Sequence, residues 1–539
     1  MKADLVIKNA NIYIVDKGHN WVQAIAIADD KIVFTGTDFE AEALIDSGTK
    51  VIDLDGRMVL PGFIDAHAHP SQAMDLVGNI SLYGQDSIEA YKKVIKGFVG
   101  QHPEREFFRG SGWADTFFPN LGPTKEILDV FIPDKPAAII SYDGHSMWVN
   151  SATLNQAGIT KDTPDPEGGR IEREPDSGDP SGTLRETAFN LIEEVIPDHS
   201  LEERKNGLLA YQEMAIRAGI TTVHDAMIDP GSIEAFNSLA GEGKLKLCFR
   251  GSITLDPDKD LESQIGMVLS ERSRNTHPNF QTNTVKIFVD GVLEGGTAYL
   301  FEPYKHKPDF RGVPIWDPVL LNHAAAALDK ENLQIHLHVI GDAALSITLD
   351  ALELAREKNG KRDTRHMVTH LQLARSEDIQ RFKELDLVGL PQPFWFKIDE
   401  YYSELALPYL GKERADKQYP MRSFIEAGVV MASSSDFPVT IPFDPVIAIQ
   451  TGITRTRLDD ATGKALWVEE RVRLEDMIKS YTHNGAYANF LENETGSIEV
   501  GKKADIIVLD QNLFDIPTNE IAKTKVLMTF IAGKEVYKA

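Results

Sequence analysis

From residue 59 to about 490 the chain alternates short apolar runs with longer stretches whose apolar positions recur at helical spacing, the pattern of repeated βα units feeding a parallel sheet. The apolar runs fall at 61–67, 219–224, 246–254, 284–290, 334–338, 366–370, 387–391 and 429–434. Eight such runs predict an α/β fold built on a closed (β/α)8 TIM barrel. The two ends of the chain differ in texture. Residues 4–55 and the last forty or so residues alternate apolar and polar positions, with turn signals at Asp29-Asp30 and Gly36. Neither end supplies enough strands alone, so residues 1–58 and 491–539 are predicted to form one composite β-sandwich domain, leaving 59–490 to the barrel. The segment at about 72–216 breaks the βα rhythm with loop-rich stretches at 164–169 and 175–180. It is read as a large insertion after the first barrel strand, emerging over the barrel mouth.

Composition narrows the function without choosing it. With 539 residues and 42% apolar content the chain belongs with globular proteins, and a formal charge of −26 would repel a phosphate backbone, which argues against nucleic acid as a partner. No apolar span long enough for a membrane helix and no cleavable signal core is present, and the single cysteine, Cys248, suits a reducing compartment. A cytoplasmic protein acting on a small molecule is the expectation, with a homodimer the assembly considered.

Candidate chemistry sits where the predicted strands end. The first strand closes on His67-Ala68-His69, and alternate strand positions face one side, so both imidazoles can meet one metal ion. Polar residues that close successive barrel strands converge at one mouth, whatever their separation in sequence. Lys286 interrupts the fourth apolar run, His336 and His338 share a parity in the fifth, His370 closes the sixth and Asp436 follows the eighth. Taken singly, Lys286 reads as a snorkelling strand residue, His370 as a core histidine and Asp436 as a helix N-cap. Single readings do not explain why all of them close barrel strands.

The chain resembles the amidohydrolase superfamily, and within it the YtcJ-like branch that includes the N-substituted formamide deformylases. The resemblance rests on PGFIDAHAH at 61–69, Trp113, DGHSMWVNS at 143–151, GITTVHD at 219–225, VKIFVDG at 285–291, HVIGD at 338–342, HLQ at 370–372, SDFP at 435–438 and the tail GSIEVGKKADIIVL at 496–509. It implies a ligand set in which His67, His69 and Asp436 hold one ion and His338 and His370 a second. Lys286, carbamylated by carbon dioxide, would bridge them. Zinc is the default for such donors, and manganese, iron or cobalt suits the same set. His336 and His366 lie deeper than the ligands and are read as supporting or core residues.

The reaction implied is hydrolysis of a non-peptide C–N bond, in an amide or N-formyl group, by a metal-activated hydroxide. Asp436 would carry the proton from water to the leaving amine, and His145 or His224 would donate to the oxyanion. Trp113, His145 and Trp395 are candidates for substrate contact, whereas Trp148 is read as packing. A deaminase or lactonase on the same barrel is the nearest alternative, and a catalytically silent regulatory or binding protein is an alternative of another class.

Overall fold

The structure, a computed structural model, describes residues 2–74, 78–114, 117–118, 122–141, 146–166, 168–293, 295–459 and 463–539. It divides into two compact units, Met1–Ser71 with Tyr211–Ala539, and Gln72–Ala210.

The larger unit is organised by a curled sheet of eight parallel strands. They are β1 (Phe63–Ala68), β2 (Ile220–Ile228), β3 (Cys248–Thr254), β4 (Phe280–Phe288), β5 (Gln334–Val339), β6 (Met367–His370), β7 (Val388–Leu390) and β8 (Val430–Met431), each beside the next. A short antiparallel strand, Thr276–His277, adds to β4. Parallel neighbours need a crossover, and the crossovers carry helices that begin where the sequence marks them. The Asp229 carboxylate accepts from the Ser232 N–H ahead of Pro230–Gly241, Asp260 caps Leu261–Arg274, and Asp317 with Pro318 starts Pro318–Lys330. Every residue of β1 and of β5 is buried, as expected of strands covered on both faces. Backbone hydrogen bonds run from the segment after β8 to β1: Ala66 N–H to Ser433 O, Asp436 N–H to His67 O and His69 N–H to Phe437 O.

The chain ends meet in a six-stranded sheet ordered Lys534–Lys538, Val526–Ile531, Ile506–Leu509, Met58–Pro61, Asn11–Tyr13, Trp21–Val22. A separate four-stranded sheet joins Lys31–Gly36, Ala24–Ala28, Leu5–Lys8 and Lys50–Asp53. Leu5, Ile7, Ile25 and Ile27 of the latter share one apolar cluster with Ile12, Val59, Ile506, Val508 and Phe530 of the former.

The 72–210 unit has a six-stranded mixed sheet of its own, ordered Gly169–Arg173, Pro180–Glu186, Ser146–Val149, Ala137–Ser141, Phe108–Trp113, Ile80–Ser81. Alternation along its strands fills both faces. Trp148 and Ile139 enter one cluster with Phe108 and Trp113, while Met147, Val149 and Ala138 enter another with Ile171 and Leu184. A segment that reads as loop-rich is therefore a folded sheet with two apolar layers. Among the described residues no helix is long and apolar enough to cross a membrane.

Candidate metal centre

The mouth of the parallel sheet is built by strand parity and two unusual backbone positions. Lys286 on β4 lies in register with His336 on β5, and Phe288 with His338, so Lys286, His336 and His338 stand on the same face. His370 ends β6 and Asp436 follows β8, both with left-handed backbone at φ 71° and 59°. Non-glycine residues are held there at a cost of order 1–3 kcal/mol each, and such positions cluster at functional sites. Asp65 ties β1 to the segment after β8: its carboxylate accepts from the Ser435 N–H at 2.9 Å and from the Ser435 hydroxyl.

The geometry converges on one oxygen. His67 Nε2 and His69 Nε2 lie 3.1 and 3.0 Å from Asp436 Oδ1, and the three ligand atoms are within 4.8 Å of one another. Among the described residues, His69 Nδ1 is buried without a hydrogen-bond partner. Two imidazole nitrogens and a carboxylate oxygen closing on one buried point fit a divalent cation of the zinc type. His338 and His370 stand beside them as a pair, ring centres 4.5 Å apart, with His370 5.2 Å from His67.

Electrostatics keeps His67, His336 and His338 neutral beside an anion. Burial, followed by the charge of Lys286, holds His67 and His336 well below the ordinary imidazole value and His338 down to about 3. Burial pushes the Asp436 carboxyl up, but the His69 hydrogen bond and the fields of His370, His69 and Lys286 outweigh it and hold it below the usual carboxylate range. Burial lowers Lys286 to about 7, against the opposing pull of Asp436, so a large share of the amine is neutral near pH 7.

Partners around the rings fix which nitrogen faces the centre. The Gln392 amide nitrogen donates to Leu390 O and Ser434 Oγ, which turns its oxygen to His370 Nδ1 at 2.9 Å and leaves His370 Nε2 bare. His338 Nε2 donates to Gly291 O at 3.1 Å, leaving its Nδ1. His336 Nε2 lies 2.8 Å from His67 Nδ1. His366 is elsewhere: it accepts from the Ile335 N–H and pairs with Asp329.

Of the expected substrate and oxyanion contacts, Trp395 is beside the centre. Its half-buried indole stacks on His370 with ring centres 5.7 Å apart and its N–H donates to Thr440 Oγ1. His224 has another place. Its ring is fully buried, its nitrogens bond Asn489 Oδ1 and Ser252 Oγ at 2.7 Å each, and burial holds it down to about 4, so it has no free donor for an oxyanion. Trp113 is likewise enclosed: it is fully buried in the apolar core of the 72–210 unit and its indole N–H donates to Ile139 O. His145 lies outside the described residues. Ser252, Gln392 and Asn489 are the residues that sequence reasoning misses; a serine in an apolar strand, a glutamine after one and an asparagine at a helix end carry no motif.

The amidohydrolase family's sequence profile matches residues 50–537. Protein LONG AFTER FAR-RED 3 of Arabidopsis thaliana is 30% identical over 99% of this chain and 92% of its own length. YtcJ of Bacillus subtilis and the N-substituted formamide deformylase of Arthrobacter pascens are each 28% identical over 98% of this chain, and over 98% and 97% of their own lengths. Among solved structures, a metal-dependent hydrolase of Pyrococcus horikoshii superposes with a TM-score of 0.78 at 22% identity, covering 95% of this chain and 99% of that one, and so shares its fold. The zinc-complexed chlorohydrolase TrzN of Arthrobacter aurescens superposes with a TM-score of 0.56 at 13% identity, over 99% and 95%. With nearly its whole length inside the family profile, this chain belongs to the amidohydrolase family.

Proposed function

We propose that the chain is a metal-dependent hydrolase that cleaves a non-peptide C–N bond, an amide or an N-formyl group, in a small molecule. The observation that carries this reading is the convergence of His67 Nε2 and His69 Nε2 on Asp436 Oδ1, with His338, His370 and Lys286 on the neighbouring strand ends. The N-substituted formamide deformylase among the relatives favours this bond type over the ring amine of a deaminase or the ester of a lactonase. The parallel sheet is read as a (β/α)8 barrel, supported by the backbone bonds that return from 433–437 to β1. The sheets of the two chain ends are read as one sandwich, supported by their shared apolar cluster.

His67, His69 and Asp436 would hold one ion, and His338 and His370 a second, zinc being the ion that suits these donors. A bound divalent ion supplies Lewis acidity and makes water nucleophilic near neutral pH. Lys286 is proposed to add its neutral amine to carbon dioxide and release a proton, leaving a carbamate anion that replaces a repelled ammonium at the same position. Asp436, buried yet held ionised, takes the proton of the attacking water and returns it to the leaving amine. Trp395 offers an aromatic face beside His370 for a substrate substituent.

A hydrolysis screen of the metal-loaded chain over N-formyl amines, acyl amides, lactones and aminopurines tests the reaction class. Turnover of N-formyl amines or amides is expected, falling by about 10²–10⁴-fold in Asp436→Asn. Turnover confined to lactones or aminopurines would reassign the reaction, and full activity in Asp436→Asn would remove the proton carrier.

A further inference from the structure

We propose that Asn489, His224, Ser252 and His336 form a one-way hydrogen-bond relay that locks His67 in its Nδ1–H tautomer and so aims the Nε2 lone pair at the metal. The proposal rests on the reading of His67 as a ligand, and it gives His224 and His336 a positioning role together with Ser252 and Asn489, which no motif includes. Its starting point is fixed by a group that cannot donate. The Asn489 Nδ2 amide faces Gly485 O at 2.9 Å, and since a carbonyl only accepts, the Asn489 oxygen must be the atom 2.7 Å from His224 Nδ1. His224 Nδ1 therefore carries the proton, and its Nε2 accepts.

Each later link then has one allowed direction. The Ser252 hydroxyl gives its only hydrogen to His224 Nε2 at 2.7 Å, so its oxygen accepts from His336 Nδ1 at 3.2 Å. The bare His336 Nε2 accepts from His67 Nδ1 at 2.8 Å. What remains is His67 Nε2 without a hydrogen, 3.1 Å from Asp436 Oδ1. A lone pair facing a carboxylate oxygen at that distance is repulsive unless a cation lies between them, so the relay and the ligand set call for the same ion. His224, Ser252 and His336 are fully buried and Asn489 nearly so, which leaves the polarity to the protein alone. The relay spans β2, β3, β5 and the C-terminal end of the helix His483–Ala488, whose cap is Asn489.

Ser252 is the link whose removal reverses the chain. In Ser252→Ala, His336 Nδ1 loses its acceptor; moving the hydrogen to Nε2 turns a donor toward His67 Nδ1 and drives the His67 hydrogen to the nitrogen that faces Asp436. Ser252→Thr keeps the hydroxyl. These are positioning residues, so the test reads tautomers and metal affinity rather than turnover.

The experiment is 15N NMR of the metal-free chain labelled at histidine, with His67 assigned by its loss in His67→Asn, alongside zinc titration against a chelating dye. Nδ1–H on His67 in the wild type is expected, with a shift toward Nε2–H and zinc binding weaker by about 10–100-fold in Ser252→Ala, and both restored in Ser252→Thr. Nε2–H on His67 in the wild type, or unchanged tautomer and affinity in Ser252→Ala, overturns the relay. Should Ser252→Ala not fold, the wild-type tautomer still decides. A wild-type chain with the Nδ1–H tautomer that binds no zinc keeps the relay and sinks the metal reading instead.

Discussion

In the 72–210 unit the two largest buried side chains, Trp113 and Trp148, each give their one polar hydrogen to a backbone carbonyl, Ile139 and Thr124. In the parallel sheet His67, His69 and Asp436 are also buried, yet His67 Nε2 and His69 Nε2 close on Asp436 Oδ1, with the rings of His338 and His370 beside them. The contrast separates architecture from function. A buried polar atom whose bond is made locally holds a fold together, whereas buried ligand atoms left facing one point cost stability until something binds there.

Removing one buried group from each region sharpens that contrast, because the two losses should act in opposite directions. Trp113→Ala deletes a fully enclosed indole and is expected to lower stability by about 3–5 kcal/mol, read as a fall in the urea midpoint, with KM for any substrate unchanged. A raised KM at wild-type stability would return the indole to the substrate.

Lys286→Met should do the reverse in the metal-free, bicarbonate-free chain. The unfolded lysine keeps its proton up to about 10.5 and the folded one releases it near 7, so between these values the folded state binds fewer protons and wild-type stability rises with pH. Methionine carries no proton. The variant should exceed wild type by a few kcal/mol at pH 7 and below, the gap closing toward pH 10.5. A gap independent of pH would mean that the amine is not buried in its charged form.

Much of this was legible in the chain because strand ends announce themselves. All eight apolar runs lie within four residues of β1–β8 at either end, and His67, His69, His338, His370 and Asp436 are visible as polar residues closing them. The 72–210 sheet was hidden by the loop signals at 164–169 and 175–180, which flank its strands Gly169–Arg173 and Pro180–Glu186. The strand Phe108–Trp113 carries two glycines, and a side chain at Gly110 would meet the Ile80 backbone oxygen at 2.7 Å, while Gly112 has φ +96°. Close strand packing demands them there. Trp113 and His224 were misplaced for a related reason: an aromatic or imidazole in a motif reveals its type but not which of its faces is already engaged. Ser252 and Asn489 acquire meaning only through partners 84 and 265 residues away, the separations that link Ser252 to His336 and Asn489 to His224.

The proposed bridge of Lys286 between two ions is tested most directly by metal analysis of the purified chain and of Lys286→Ala, each loaded with zinc in the presence and absence of bicarbonate. Two ions per wild-type chain with bicarbonate, and fewer in its absence or in Lys286→Ala, is the predicted result. Fewer than two under both conditions, or two retained in Lys286→Ala, would contradict it.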